Sequence, residues 1–392
     1  MKNPYRPGVG LRPTYLAGRE REQRRFVTTL EAAPEIPANV RVTGLRGVGK
    51  SVLLTRFEEL ASDTAEWATL LVELQPRHNS DAGFLELMGG QLDVLRGKLS
   101  IAAKLRAKIG KAVEAGRSIA KAEFEGIAWS LDGQVAGDAE ELGEGILTAV
   151  DAALSTGRNG LAILLDEAQV LSDAKSAKGD HPLSTLLSAI STLQKQEVPV
   201  ALVLCGLPTL TVNLLAARTY SERMFKGEEV SALDSSSARD AFVKPLEDTA
   251  RTADTDLIEK VLADVEGYPY FIQLWGAEIW DACTYAGETR LTLKLLEAAE
   301  EDIYRRLDLD FYEPRVASLT PAEQDVLIDS SKCSYPPISV NELGGKSAKR
   351  PGNVNVLLGR LVSANVLYRI RQGQYEYTAP GFYEYLKRRK IR

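Results

Sequence analysis

The sequence predicts an α/β domain built on a parallel sheet, a helical extension after it, and a small carboxyl-terminal domain of three helices and a two-stranded ribbon. Three observations carry this expectation. Short apolar strands alternate with helical stretches over residues 1–235. The strand Val40–Thr43 runs through a glycine-rich turn into a helix that starts at Ser51. Charge is divided along the 392 residues, whose net is -6: from Ser331 onward twelve Lys and Arg face only Glu342, Glu376 and Glu384, so this end carries +9 and residues 1–330 carry -15.

With 44% hydrophobic and 26% charged residues, the chain has the composition of a globular protein with sizeable cores. Its three cysteines lie far apart and its two histidines have no ligand spacing with them, which argues against a disulfide scaffold or a structural zinc site. The amino-terminal residues lack the apolar stretch of a secretion signal, and no later run is long enough to span a bilayer. The expectation is a cytoplasmic protein without a membrane partner.

The elements follow in order. Pro- and Gly-rich residues up to Gly18 precede a helix over 19–30. After Val40–Thr43 and the helix from Ser51, Trp67–Leu74 reads as a second strand, and residues 81–154 are mostly helical, with a hairpin considered for Phe124–Gln134. Leu161–Leu165 and Val198–Leu204 are continuous apolar runs, as strands buried on both faces show, with a helix over 183–195 between them. Helices resume from Leu233 to Leu296, and a charged helix with Arg305 and Arg306 followed by Glu313-Pro314 reads as a linker.

Gly44-Leu45-Arg46-Gly47-Val48-Gly49-Lys50-Ser51 fits G-x-x-x-x-G-K-[ST] and stands between a strand and a helix, as this phosphate-binding loop must. Gly44, Gly47 and Gly49 let backbone N–H groups, including those of Val48 and Val52, wrap an anion at a helix amino end. Lys50 reaches the β and γ phosphates, and the Ser51 hydroxyl joins a Mg²⁺ shell. The run Leu161–Leu165 delivers Asp166 and Glu167 at a strand's carboxyl end, where α/β sheets bind ligands. Asp166 suits Mg²⁺, and Glu167 suits the orientation and deprotonation of an attacking water.

These motifs resemble the AAA+ superfamily of P-loop NTPases, particularly the STAND-type and replication-initiator-like ATPases of bacteria. The resemblance covers about residues 10–300 and implies ATP and Mg²⁺ as ligands and an ATPase activity. Tyr15-Leu16-Ala17-Gly18-Arg19-Glu20 is similar to the family's GRE box, which implies a place near adenine for Arg19. Cys205-Gly206-Leu207-Pro208 stands where relatives carry a sensor, although Cys205 replaces the usual polar residue and implies slow turnover. Tyr220–Phe225 looks like the family's ERLF stretch, which puts Arg223 in the position of an arginine that senses or stabilises the γ phosphate; Arg218 competes for that role. Gly267-Tyr268-Pro269 resembles the motif of the helical lid whose proline, here Pro269, rests on adenine, but no lid arginine is evident nearby. The implied division is a P-loop ATPase core over 1–235, a lid over 236–300, a linker over 301–318 and an output domain over 319–392.

In that last domain Thr320, Pro321 and Glu323 form a helix start. A short second helix begins at Ser339 and is ended by Gly344-Gly345. A third, over 353–365, presents Val354, Leu357, Leu358, Leu361 and Val362 on one face, and Val366–Tyr377 reads as a hairpin. This order resembles a winged helix-turn-helix, which implies a third helix in a DNA major groove and a wing on the backbone. Lys349, Arg350, Asn353 and Asn355 near that helix and Arg369 and Arg371 on the wing are the candidate contacts to double-stranded DNA. The run Lys387–Lys390 reads as a solvated tail. Two functions stay open: a nucleotide-gated switch that contacts DNA, and a signalling or defence scaffold that self-associates or docks a protein partner through the same module. A small-molecule kinase fits less well, because no second substrate motif is evident.

Overall fold

The computed structural model describes residues 2–8, 10–109, 134–218, 221–334 and 337–391. Their contacts form two units: residues 19–44 with 50–230, and residues 1–18 with 45–49 and 231–392.

The first unit is the α/β domain. It comprises α1 (Glu20–Glu31), β1 (Ala38–Thr43), α2 (Lys50–Asp63), β2 (Ala68–Glu73), α3 (Asp81–Ile109), α4 (Gln134–Ser155), β3 (Leu161–Asp166), α5 (Pro182–Lys195), β4 (Val200–Gly206), α6 (Thr209–Ala217), α7 (Ser221–Met224) and β5 (Lys226–Glu229). The five strands are all parallel in the order β2-β3-β4-β1-β5. Strands consecutive in the chain are joined by helical crossovers, so helices cover the sheet and the central strands need no polar face. Accordingly β3 is buried up to Asp166 and β4 is buried throughout.

Two features hold the unit's edges to its centre. Phe26 of α1 stacks on Phe57 of α2 with ring centroids 4.2 Å apart. Asn39 and Gln194 exchange hydrogen bonds of 2.8 and 2.9 Å, and Gln194 also donates to the Val200 carbonyl, which satisfies a buried amide pair beside β1. Of the hairpin considered for Phe124–Gln134, all but Gln134, the first residue of α4, lies outside the described residues.

The second unit is helical, with two small sheets of short strands among its described residues. It contains α8 (Ser235–Glu247), β6 (Thr252–Ala253), α9 (Thr255–Val265), α10 (Pro269–Tyr285), β7 (Arg290–Leu291) and α11 (Leu293–Arg306). The amino-terminal segment belongs here: Tyr5 stacks on Phe242 and donates its hydroxyl to the Phe242 carbonyl at 2.6 Å. Gly267 takes φ +73, and a side chain there would meet the Leu233 carbonyl at 2.2 Å, so the close chain crossing admits only glycine.

Across residues 301–318, expected as a linker, the chain stays helical. A wide turn over Leu307–Tyr312 leads into α12 (Glu313–Ala317), with Phe311 and Tyr312 buried. Then come α13 (Pro321–Ser330), β8 (Ile338–Ser339), α14 (Val340–Lys346), α15 (Pro351–Ser363), β9 (Leu367–Arg371), β10 (Gln374–Tyr377) and α16 (Phe382–Ile391). The expected cap of α13 is present, with the Thr320 N–H donating to Glu323 at 2.8 Å. The hairpin is also present, turning at Gly373, and β8 extends it to a three-stranded antiparallel sheet.

Two expectations need correction. Gly344 and Gly345 do not end the second helix; they lie inside α14, whose buried Leu343 anchors it against the glycines' weak propensity, and Ser347 closes it by donating to Leu343. The run Lys387–Lys390 is not a free tail but part of α16, whose Phe382, Tyr385 and Leu386 are buried. Arg388 donates to Asp308 at 2.8 Å and Lys387 lies over the Tyr383 ring.

Candidate nucleotide site

The sheet order brings three strand ends side by side. Thr43 is in register with Gly206, and Asp166 with Glu73, so the segments after β1, β3 and β4 leave the sheet at one edge. The Gly44 N–H donates to the Gly206 carbonyl at 3.3 Å, which ties the start of the glycine loop to the end of β4. Gly47 and Gly49 have φ +82 and +88, left-handed values that let the loop curl before α2 begins at Lys50. Ser51 follows as the second residue of that helix, and Val48 is buried.

Lys50 is only 8% exposed, a rare condition for a lysine and one that needs a partner. Its surroundings are partly revealed by Cys205. This thiol is fully buried at the end of β4, and burial first, then the charge of Asp166, push its ionisation well up, while Lys50 opposes the shift. Cys205 is therefore a neutral thiol that faces the Asp166 carboxylate as a donor, with Lys50 close enough to act on it. Cys205 thus lies within reach of both charged groups.

Glu167 leaves β3 with φ +52, a left-handed conformation that costs a glutamate about 1 kcal/mol or more. Several bonds hold it there. Its N–H donates to Asp166 Oδ1 at 2.8 Å, and Gln169 Nε2 donates to its carboxylate. The other end of the Gln169 amide accepts from the Leu207 N–H at 3.0 Å, while Asn213 donates to the backbone carbonyls of Gln169 and Leu171 at 2.9 and 3.0 Å. Gly206 leaves room for this bridge, because a side chain there would lie 2.3 Å from Gln169 Oε1. Gln169 and Asn213 were not singled out in the sequence; the one available signal was that Gln169 follows the carboxylate pair by two positions.

Ser51 and Asp166 offer a hydroxyl and a carboxylate, oxygen donors of the kind Mg²⁺ takes. The remaining expected residues are distributed as follows. Arg19 is buried at the start of α1, 3.9 Å from Glu22. Pro269 opens α10 and approaches the loop: a side chain on Gly49 would touch it at 4.0 Å. Arg223 on α7 is exposed, and no described hydrogen bond or ion pair holds it, whereas Arg218 donates to Ser188 at 3.1 Å. In the carboxyl-terminal domain Arg350, Asn353, Asn355, Arg369 and Arg371 are exposed, while Lys349 is half-buried and pairs with Asp325 at 3.0 Å.

A five-stranded parallel sheet with a glycine loop after β1 and a carboxylate pair after β3 defines an α/β ATPase fold of the P-loop kind. Residues 15–204 match the family model of the AAA ATPase domain, and residues 309–386 match a domain of unknown function (DUF8462). No curated protein matches the sequence. Among solved structures, the chain is similar to a Walker-type ATPase of Pyrococcus abyssi at 16% identity, covering 97% of this chain and 98% of that one with a TM-score of 0.57. It is also similar to the ORC2 protein of Aeropyrum pernix, solved as ADPNP–ADP complexes, at 13% identity, covering 98% and 97% with a TM-score of 0.56. Among the described residues no helix is long and apolar enough to cross a membrane.

Proposed function

We propose that the protein binds ATP with Mg²⁺ on residues 44–52 and hydrolyses it, and that its nucleotide state governs what the carboxyl-terminal domain binds. The observation that carries the reading is the grouping of Lys50, Cys205 and Asp166, with Glu167 held beside them by Gln169. Lys50 and the loop N–H groups bind the phosphates. Bound Mg²⁺, held by Ser51 and Asp166, would neutralise charge on the β and γ phosphates. Glu167 accepts the proton of the attacking water, and Gln169 fixes the direction in which its carboxylate points. Arg223, exposed as it is, suits a phosphate on a neighbouring copy rather than on its own chain, and Arg19 and Pro269 remain the proposed neighbours of the base.

For the output domain, the exposed Arg350, Asn353, Asn355, Arg369 and Arg371 on a module of net positive charge favour double-stranded DNA. The Lys349–Asp325 pair is at the surface and so weak enough to yield to a phosphate. One observation favours the second reading, a protein partner: Val356 on α15 and Ile370 on β9 are 57% and 49% exposed among those same residues.

A titration with duplex DNA at several salt concentrations, with ATP, ADP and no nucleotide, decides between them. If about five phosphates are neutralised, log K falls with log salt at a slope of roughly -4 to -5. The intercept differs between ATP and ADP, since a ligand shifts an equilibrium only by its differential affinity. No complex, or a flat salt response, eliminates the DNA reading; ATP-dependent self-association in the same samples supports the scaffold.

A further inference from the structure

Glu167 stands in a left-handed conformation, φ +52 and ψ 33, ahead of a tight turn over Ala168–Val170. A strained residue of this kind persists only where its surroundings fix it from more than one side. The bond from its N–H to Asp166 fixes one side. The other runs through Gln169 to α6, a helix that carries no charged residue and stands outside the phosphate loop and the carboxylate pair.

The Gln169 amide has one orientation that satisfies both of its partners. The Leu207 N–H needs an acceptor, so Oε1 faces it at 3.0 Å and Nε2 is left to donate to the Glu167 carboxylate. The backbone of Gln169 is held as firmly as its side chain. The single Nδ2 group of Asn213 spends one hydrogen on the Gln169 carbonyl at 2.9 Å and the other on the Leu171 carbonyl at 3.0 Å. Both carbonyls belong to a turn too short to supply them with helical partners. Asn213 itself cannot drift, because Leu210 and Leu214 on either side of it are buried in the core of the α/β unit. Gly206 completes the arrangement: a side chain there would lie 3.2 Å from the Gln169 nitrogen as well as against its amide.

We infer that Asn213 is a positioning residue for hydrolysis, acting through Gln169 to hold the Glu167 carboxylate in the direction from which it accepts the proton of water. This rests on the proposal that Glu167 is the general base. Leu207 holds the far end of the Gln169 side chain and Asn213 holds its backbone, so the direction of the base is set by the segment that leaves β4. Without Asn213 two carbonyls lose their donor and the turn relaxes, and Gln169 no longer presents Nε2 at a fixed point. A shift of about 1 Å in a catalytic group costs up to about 10²-fold in rate without touching the binding of the nucleotide.

The test uses the full chain, with wild type, Asn213→Leu, Asn213→Asp, Glu167→Gln and the double variant Glu167→Gln/Asn213→Leu. Leucine keeps the size of the side chain, and aspartate keeps its shape while losing both donated hydrogens. Single-turnover phosphate release and ATP affinity are measured for each, with thermal unfolding to show that each is folded. Asn213→Leu and Asn213→Asp should each slow release about 10- to 100-fold and leave ATP affinity within about 2-fold of wild type. The double variant should release phosphate at the rate of Glu167→Gln, since residues that act as a unit do not add their losses. That last comparison separates positioning from a general role in the fold, which would slow the double variant by the same factor as wild type. Release at the wild-type rate in both Asn213 variants, a parallel loss of ATP affinity, or multiplying losses in the double variant would each overturn the assignment. If leucine prevents folding, Asn213→Asp and the double variant built with it carry the same comparison. Wild-type release by Glu167→Gln would instead remove the base reading on which the assignment rests.

Discussion

Glu167→Gln binds ATP and Mg²⁺ as tightly as wild type and releases phosphate about 10²- to 10³-fold more slowly, the loss expected when a general base is removed while its shape is kept. The geometry makes this a clean substitution. The backbone at Glu167 is fixed by its N–H bond to Asp166, and a glutamine at the same φ of +52 keeps every backbone contact. The amide that replaces the carboxylate can still accept from Gln169 through its oxygen. Only the capacity to take a proton is gone. Single-turnover phosphate release, with binding measured separately, distinguishes this from a defect in nucleotide affinity; a variant with wild-type release would remove Glu167 from the chemistry. If the Cys205 position makes wild-type turnover slow already, the ratio shrinks but the order of the two proteins does not.

Much of this site was legible in the sequence because its chemistry depends on residues close together in the chain. The glycine loop must lie between a strand and a helix, and the carboxylate pair must end an apolar strand, so both were visible as local patterns and both occur at the expected edge of the sheet. What local pattern could not reveal were contacts over long separations. Gln169 matters because it spans from Glu167 to the end of β4, 38 residues on. The charged, proline-containing stretch around Arg315 resembles a surface connector until Phe311 and Tyr312 are seen to be buried. The same reason hid α16: its Lys387–Lys390 run advertises solvent, while Phe382, Tyr385 and Leu386 decide the packing. Helix propensity misled at Gly344 and Gly345, where burial of Leu343 outweighed about 1 kcal/mol per glycine.

Replacement of Tyr312 by alanine should cost the protein about 3–5 kcal/mol, the range for truncating a large buried aromatic. Tyr312 is 1% exposed. Its ring stacks on Tyr385 at 4.7 Å and meets Phe382 edge-on at 5.4 Å, and its hydroxyl donates to the Pro380 carbonyl at 2.7 Å. Gly381 has φ +65, and a side chain there would come within 2.6 Å of the Tyr312 oxygen, so the turn before α16 is shaped around this phenol. Burial drives its ionisation far above the ordinary range, which keeps the hydroxyl a donor across the working pH range. Tyr312→Phe separates the two contributions: it keeps the rings packed and should cost only about 1 kcal/mol for the lost hydrogen bond. Urea unfolding, followed by fluorescence, should show the midpoint falling in the order wild type, Tyr312→Phe, Tyr312→Ala with the slope unchanged. Because Tyr312 packs on Phe382 and Tyr385 of α16, a folded Tyr312→Ala protein should bind DNA with an affinity that no longer differs between ATP and ADP. A loss below about 1 kcal/mol for the alanine variant would mean that the site relaxes around the cavity, and that residues 307–317 do not bind the carboxyl-terminal domain tightly enough to transmit a nucleotide signal.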